Sequence, residues 1–243
     1  MFKISEIAPD VYRISVFVKE FNLQFNHFLI KDDEPMLFHS GMKSMFPVLT
    51  EAVNKIISVA RIKWIGFSHF EVDECGGLNE WLQVAPSASA VCSDLGAIIN
   101  IQDYAIRPPH AMAGNDVLKT GKYSFRFIKT PHLPHCWDAG LMFEETNKTL
   151  LCSDLFHQNG DGIDITDKDI LGDYKNALTE YEKGPLLGYT PYTHNTPKLL
   201  NVLAELQPKT LAVMHGSSFR GDCRKALIGL NLVMKEVWDS NER

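Results

Sequence analysis

Over the first forty positions, hydrophobic residues come in short β-type runs. They occupy residues 11–18, then Asn26-His27-Phe28-Leu29-Ile30, then Pro35-Met36-Leu37-Phe38, which closes at Ser40-Gly41. Runs this short, punctuated by polar and turn-forming residues, predict a meander of strands. The period then becomes helical: Val48, Val53, Ile56 and Ile57 share a face over residues 47–58. Lys63-Trp64-Ile65-Gly66-Phe67 reads as a buried strand that delivers Ser68-His69 at its end. Asp73 is then expected to cap a helix that turns Leu78, Trp81 and Leu82 to one side and stops at Pro86. A shorter strand and helix over residues 88–100 lead into a loop rich in Pro and Gly.

Tyr123, Phe125 and Phe127 alternate before Thr130-Pro131-His132-Leu133-Pro134-His135. Residues 141–144 and 149–152 predict a hairpin turning through Thr146-Asn147-Lys148, whose second strand delivers Ser153-Asp154. Thr196-Pro197 starts a helix with Leu199, Val202, Leu203 and Leu206 inward. Strand 210–214 ends at His215-Gly216, and a last helix follows with Leu227, Leu230, Met234 and Val237 on one face. Strands with helices outside them, twice over, predict an α/β fold: a four-layer αβ/βα sandwich forming one domain over residues 1–243, with its site at the strand ends.

Composition narrows the class. A chain of 243 residues that is 45% hydrophobic can build its core without disulfides. Thirty acidic against 24 basic residues, a formal charge of −6, argue against nucleic acid or an anionic membrane as partner. Glu6, Asp10 and Arg13 interrupt the N-terminal run, so no signal peptide is read there. No apolar stretch approaches the ~18 residues of a membrane span. The five cysteines are scattered and contain no C-x-x-C pair, which speaks against a disulfide framework and a thiolate zinc site. A cytoplasmic protein is expected.

The chemistry is concentrated in His69-Phe70-Glu71-Val72-Asp73-Glu74. His69, Glu71, Asp73, His135, Asp154 and His215 all follow predicted strands, where a rigid scaffold can aim them at one point. Three imidazoles and three carboxylates suit two divalent ions, with one carboxylate able to bridge.

The segments H-F-E-V-D, L-P-H-C-W-D, L-C-S-D-L-F and A-V-M-H-G resemble those of the metallo-β-lactamase superfamily. Within it they are similar to the diiron domain of flavodiiron proteins and to stand-alone oxygen-binding diiron proteins. The resemblance runs from about residue 26 to 220. Asp154 follows His135 by 19 positions and His215 follows Asp154 by 61, as in that family. It implies two non-haem iron ions, one held by His69, Glu71 and His135, the other by Asp73 and His215, with Asp154 bridging. Zinc hydrolases of the superfamily carry His where this chain has Glu71, and a carboxylate there favours iron.

The chain departs from the family beside Asp73, where the usual motif ends in Asp-His and this one in Asp73-Glu74. Glu74 either ligates the second ion or turns away and leaves an open position; a solvated first-turn carboxylate is the plain alternative. His132 competes with His135 as a ligand, and the spacing to Asp138 and Asp154 favours His135. His39 stands where the superfamily has Asp and is expected to orient a ligand. His27 is expected to face the open side of the metals and donate to bound oxygen. His110, His157 and His194 show no pattern above surface residues, Tyr189 reads as packing, and Cys136 sits beside a candidate ligand.

Flavodiiron enzymes draw electrons from a flavodoxin-like domain, and no such domain with its phosphate-cradling loop is read here. The expectation is a diiron protein that binds O2 or NO, as a sensor or slow reductase served by an external redox or signalling protein. The resemblance also allows a homodimer. From a different class comes a zinc hydrolase of the same fold, acting on a thioester, lactone or phosphodiester through metal-activated water.

Overall fold

Alternation along the strands sorts side chains between two faces, and the computed structural model, which describes residues 1–241, shows two seven-stranded sheets packed on each other. The first contains β1 (Phe2–Ala8), β2 (Val11–Val18), β3 (Leu23–Ile30), β4 (Met36–Phe38), β5 (Trp64–Gly66), β6 (Ser89–Ser93) and β7 (His110–Met112) in sequential order. The second contains β8 (Val117–Lys119), β9 (Ser124–Lys129), β10 (Gly140–Glu144), β11 (Thr149–Leu151), β12 (Ile165–Thr166), β13 (Thr210–Ala212) and β14 (Ser218–Phe219). Its spatial order is β12-β14-β13-β11-β10-β9-β8. β1 to β4 pair antiparallel, whereas β4-β5-β6-β7 and β11-β13 pair parallel.

In β3, Phe28 and Ile30 enter the layer between the sheets while Phe25 and Leu29 face the outer helices. Phe125 and Phe127 of β9, Met142 of β10 and Leu151 of β11 meet them from the second sheet. The first sheet's outer face is covered by helices Phe46–Asn54 and Leu78–Val84, the second's by Leu171–Tyr181, Thr196–Glu205 and Cys223–Asn241. This is the four-layer sandwich the sequence predicts. Ile65, fully buried in β5, anchors the strand that leads to His69. Ile65→Val is expected to lower unfolding free energy by about 1 kcal/mol, read from the denaturant midpoint at unchanged slope.

Three local expectations change. β1 is not visible as a separate run in the sequence reading, and it pairs with β2 throughout its length. Asp73 does not cap a long helix: it lies inside a single turn, Val72–Cys75, and the helix carrying Trp81 starts afresh after Gly77. Helix Leu171–Tyr181 buries only Tyr174, Ala177 and Leu178, too few apolar positions to stand out. Among the described residues no helix is long and apolar enough to cross a membrane.

Candidate metal centre

Each chemical side chain sits just beyond a strand: His69 after β5, His135 in the loop after β9, Asp154 after β11 and His215 after β13. Parallel pairing of β11 with β13 places Asp154 and His215 at the same sheet end. The first sheet fixes the second here. Asn26 of β3 donates through Nδ2 to the Val213 and Gly216 carbonyls, at 2.9 and 2.8 Å. The buried Arg13 guanidinium also donates to the Gly216 carbonyl, at 3.0 Å. Gly216 has φ +101°, and a Cβ there would meet Gln158 at 2.5 Å, so the turn behind His215 requires glycine.

Among the described residues His69, His135 and Cys136 form one candidate donor group, and two further groups, each with two carboxylates, share one side chain. Glu71 Oε2 lies 3.0 Å from His69 Nε2 and 3.1 Å from His135 Nε2. Asp154 Oδ2 lies 3.1 Å from His135 Nε2 and 3.6 Å from His69 Nε2. These four donors lie within 4.8 Å of one another, as do those of Asp73, Asp154 and His215. In the second group His215 Nε2 stands 3.1 Å from Asp154 Oδ1 and 3.4 Å from Asp73 Oδ2. Asp154 thus offers one oxygen to each side. Asp73 Oδ1 is buried without a hydrogen-bond partner, an unmet acceptor that suits a cation.

The electrostatics agree. Burial works against a charged His69, yet Glu74, Glu71 and Asp154 outweigh it and raise its pKa to about 9. In the same way, burial is overcome by Asp154, Cys136 and Glu71 at His135, pushed up to about 12, and by Asp154 and Asp73 at His215, pushed up to about 10. Burial would raise Asp154, but hydrogen bonds from His135 and His215 hold it well below the usual carboxylate range. A field that holds protons on three imidazoles will equally hold divalent cations. Each imidazole has its other nitrogen anchored. His215 Nδ1 donates to the Gln24 carbonyl at 2.9 Å, His69 Nδ1 contacts Ser68 Oγ at 3.1 Å, and His135 Nδ1 contacts Cys136 Sγ at 3.2 Å. Such contacts fix ring orientation and leave each Nε2 facing the carboxylates of its group.

Glu74 joins neither group, and it is not solvated. Fully buried, it accepts from the Ser68 amide at 2.8 Å and from the Ser153 hydroxyl, with its Oε1 3.8 Å from His69 Nδ1. It therefore lies on the Nδ1 side of His69, away from Nε2. Burial, aided by Asp154, lifts its pKa to about 8. His39 donates through Nδ1 to the Asn26 carbonyl at 3.1 Å, and its Nε2 lies 3.5 Å from Glu74 without a hydrogen-bond partner. His132 is exposed with φ +63° and stands outside both groups; the backbone turns it outward and His135 inward. His27 is fully buried with Nδ1 3.0 Å from the His39 carbonyl, and its ring packs under Gly41.

Two residues passed over in the sequence line the site. Tyr189 places its ring 4.3 Å from that of His135 and its hydroxyl 3.3 Å from Glu71 Oε2. His157 lies with its ring 4.7 Å from that of His215. The available signal was its position three residues after Asp154, in the same turn. A cleft of about 440 Å³ opens over the second group, lined by Asp73, His215, His157, Tyr181 and Tyr189, with Phe21 and Leu186 at its apolar wall.

The chain is 24% identical to the flavo-diiron protein FprA2 of Clostridium acetobutylicum over 222 residues, 89% of this chain and 54% of that one. It therefore spans about half the length of this curated relative. It superposes on rubredoxin oxygen:oxidoreductase from Desulfovibrio gigas with a TM-score of 0.81 at 19% identity, over 97% of this chain and 62% of that one. For a fragment of a putative diflavin flavoprotein A 5 from Nostoc, the TM-score is 0.75 at 19% identity, over 99% of this chain and 96% of that one. At such identities these likenesses establish the fold. A family model described as ODP family beta lactamase matches residues 23–216, most of the chain, and the protein belongs to that family.

Proposed function

We propose that the protein holds two iron ions and binds a diatomic gas, O2 or NO, at them, receiving electrons from a separate redox protein or passing a signal to a partner. The observation that carries this reading is Glu71, whose carboxylate lies between His69 and His135 and makes the first donor group half oxygen. An oxygen-rich, anionic set favours iron over zinc. The names of its relatives, a flavo-diiron protein and a rubredoxin oxygen:oxidoreductase, point the same way. His69, Glu71 and His135 would hold the first ion, Asp73 and His215 the second, and Asp154 both.

Two ferrous ions would supply electrons to a bound gas. The chain's own residues do the rest. Asp154 offers one oxygen to each group, Ser68, Cys136 and the Gln24 carbonyl orient the imidazoles, and Glu74, held by the Ser153 hydroxyl and the Ser68 amide, lies behind His69. With Glu74 turned away, the second group has three donors against four in the first, and the cleft beside it would admit a small ligand. Tyr189, whose hydroxyl reaches Glu71, would limit the space above the first ion. Protein loaded anaerobically with ferrous iron is expected to develop visible charge-transfer absorbance on exposure to air. A colourless, unreactive ferrous protein sinks this reading, as does material that takes up only zinc from a mixture of both metals and hydrolyses esters.

A further inference from the structure

The second donor group is short of one side chain, and a buried imidazole with a free nitrogen stands beside it. The backbone amide of His157 bonds to the Asp154 carbonyl at 3.2 Å, and Phe156 adopts φ +65°, a tight turn that folds His157 back toward the site. Its ring lies 4.7 Å from that of His215 and lines the cleft with Asp73. Nδ1 is buried and has no hydrogen-bond partner.

The neighbours settle which nitrogen carries the proton. Asn159 donates through Nδ2 to Glu180 at 3.0 Å, which turns its Oδ1 toward Tyr181 and His157. The Tyr181 hydroxyl donates to that Oδ1 at 3.3 Å. His157 Nε2 lies 2.6 Å from the Tyr181 oxygen and 3.2 Å from Asn159 Oδ1. An N–H on the buried, partnerless Nδ1 would be an unsatisfied donor, whereas an N–H on Nε2 meets both of these oxygens, which places the proton on Nε2. That leaves the lone pair on Nδ1. A neutral imidazole whose far N–H is held by an oriented acceptor is the usual form of a metal-bound histidine.

We infer that His157 Nδ1 is the fourth protein donor to the second metal ion, alongside Asp73, Asp154 and His215. This rests on the two-ion reading above. As the side chain stands, His157 is outside the group whose donors lie within 4.8 Å of one another. Its Nδ1 has no hydrogen bond to give up.

The test titrates wild-type, His157→Ala and Tyr181→Phe proteins anaerobically with ferrous iron and with cobalt(II), and reads stoichiometry, both affinities and imidazole scattering in X-ray absorption. Wild type is expected to take up two ions. His157→Ala is expected to keep the first affinity, weaken the second by about 100-fold, and show fewer imidazoles per ion in the fully loaded state. Tyr181→Phe keeps the ring but frees its tautomer, and is expected to weaken the second ion about tenfold; it decides the matter if His157→Ala does not fold. An unchanged second affinity in both folded variants, with wild type holding two ions, overturns the assignment of His157 alone. Failure of wild type to take up a second ion overturns the two-ion reading with it.

Discussion

Asp154→Asn is expected to abolish binding of the second metal ion and to weaken the first by more than about 100-fold, while the fold survives. Asp154 is the one side chain present in both two-carboxylate donor groups, with Oδ2 toward His69 and His135 and Oδ1 toward His215. Asparagine keeps the size and one acceptor, so packing is preserved. It cannot offer an anionic oxygen to each side. The first group would keep Glu71 and two imidazoles, whereas the second would keep Asp73, His215 and the neutral His157 but lose one of its two carboxylates. The loss should also be felt without metal, because Asp154 supplies the largest favourable interaction holding a proton on both His135 and His215. Metal content and affinities after anaerobic reconstitution, with circular dichroism to confirm folding, check the result. Near-wild-type uptake of two ions by this variant would show that the groups do not share a bridge.

Much of this centre could be read in the chain because its parts depend on strand ends. A strand's period-two pattern marks where it stops, and His69, Asp154 and His215 each come within three residues of β5, β11 or β13. Sequence reasoning does less well where direction depends on a single rotamer or backbone twist. Glu74 is one peptide from Asp73, yet the turn Val72–Cys75 sends one acid to His215 and the other to the Ser68 amide. Ser153 and Phe156 flank Asp154 with φ +51° and +65°, and those twists, rather than any pattern of residue types, bring His157 back to the site. Its partner Tyr181 arrives on a helix with few apolar positions, whose course over the cleft is set by packing against the C-terminal helix. Such approaches belong to tertiary structure.

Without metal, stability is expected to peak near pH 6, and bound metal is expected to add progressively more stability as pH rises above that value. The signs follow from which state holds more protons. His69, His135 and His215 have folded pKa values of about 9, 12 and 10 against about 6.5 when unfolded. Their contribution is fully present below about 6.5 and is lost as pH rises through the folded values. Glu74, raised to about 8, loses its contribution in the same direction. On the acid side, burial lowers His27 to about 4 and His39 and His157 to about 3, so their unfolded forms bind protons first and stability falls as pH drops below about 6.5. Glu71, held at about 2 by His135 and His69 against the effect of burial, and Asp154, held low, add further loss at still lower pH. Metal would remove the part of this loss due to His69, His135 and His215, because those imidazoles would then be neutral in the folded state, and the part due to Glu74 would remain. Loading the pair near pH 7.5 should release about three protons per chain, and affinity should rise steeply with pH. Melting temperatures of metal-free and loaded protein from pH 5 to 10, with proton release followed by an indicator dye, measure both effects. Metal uptake without proton release would mean that the carboxylates do not hold charge on these imidazoles, and the electrostatic account of the centre would fail.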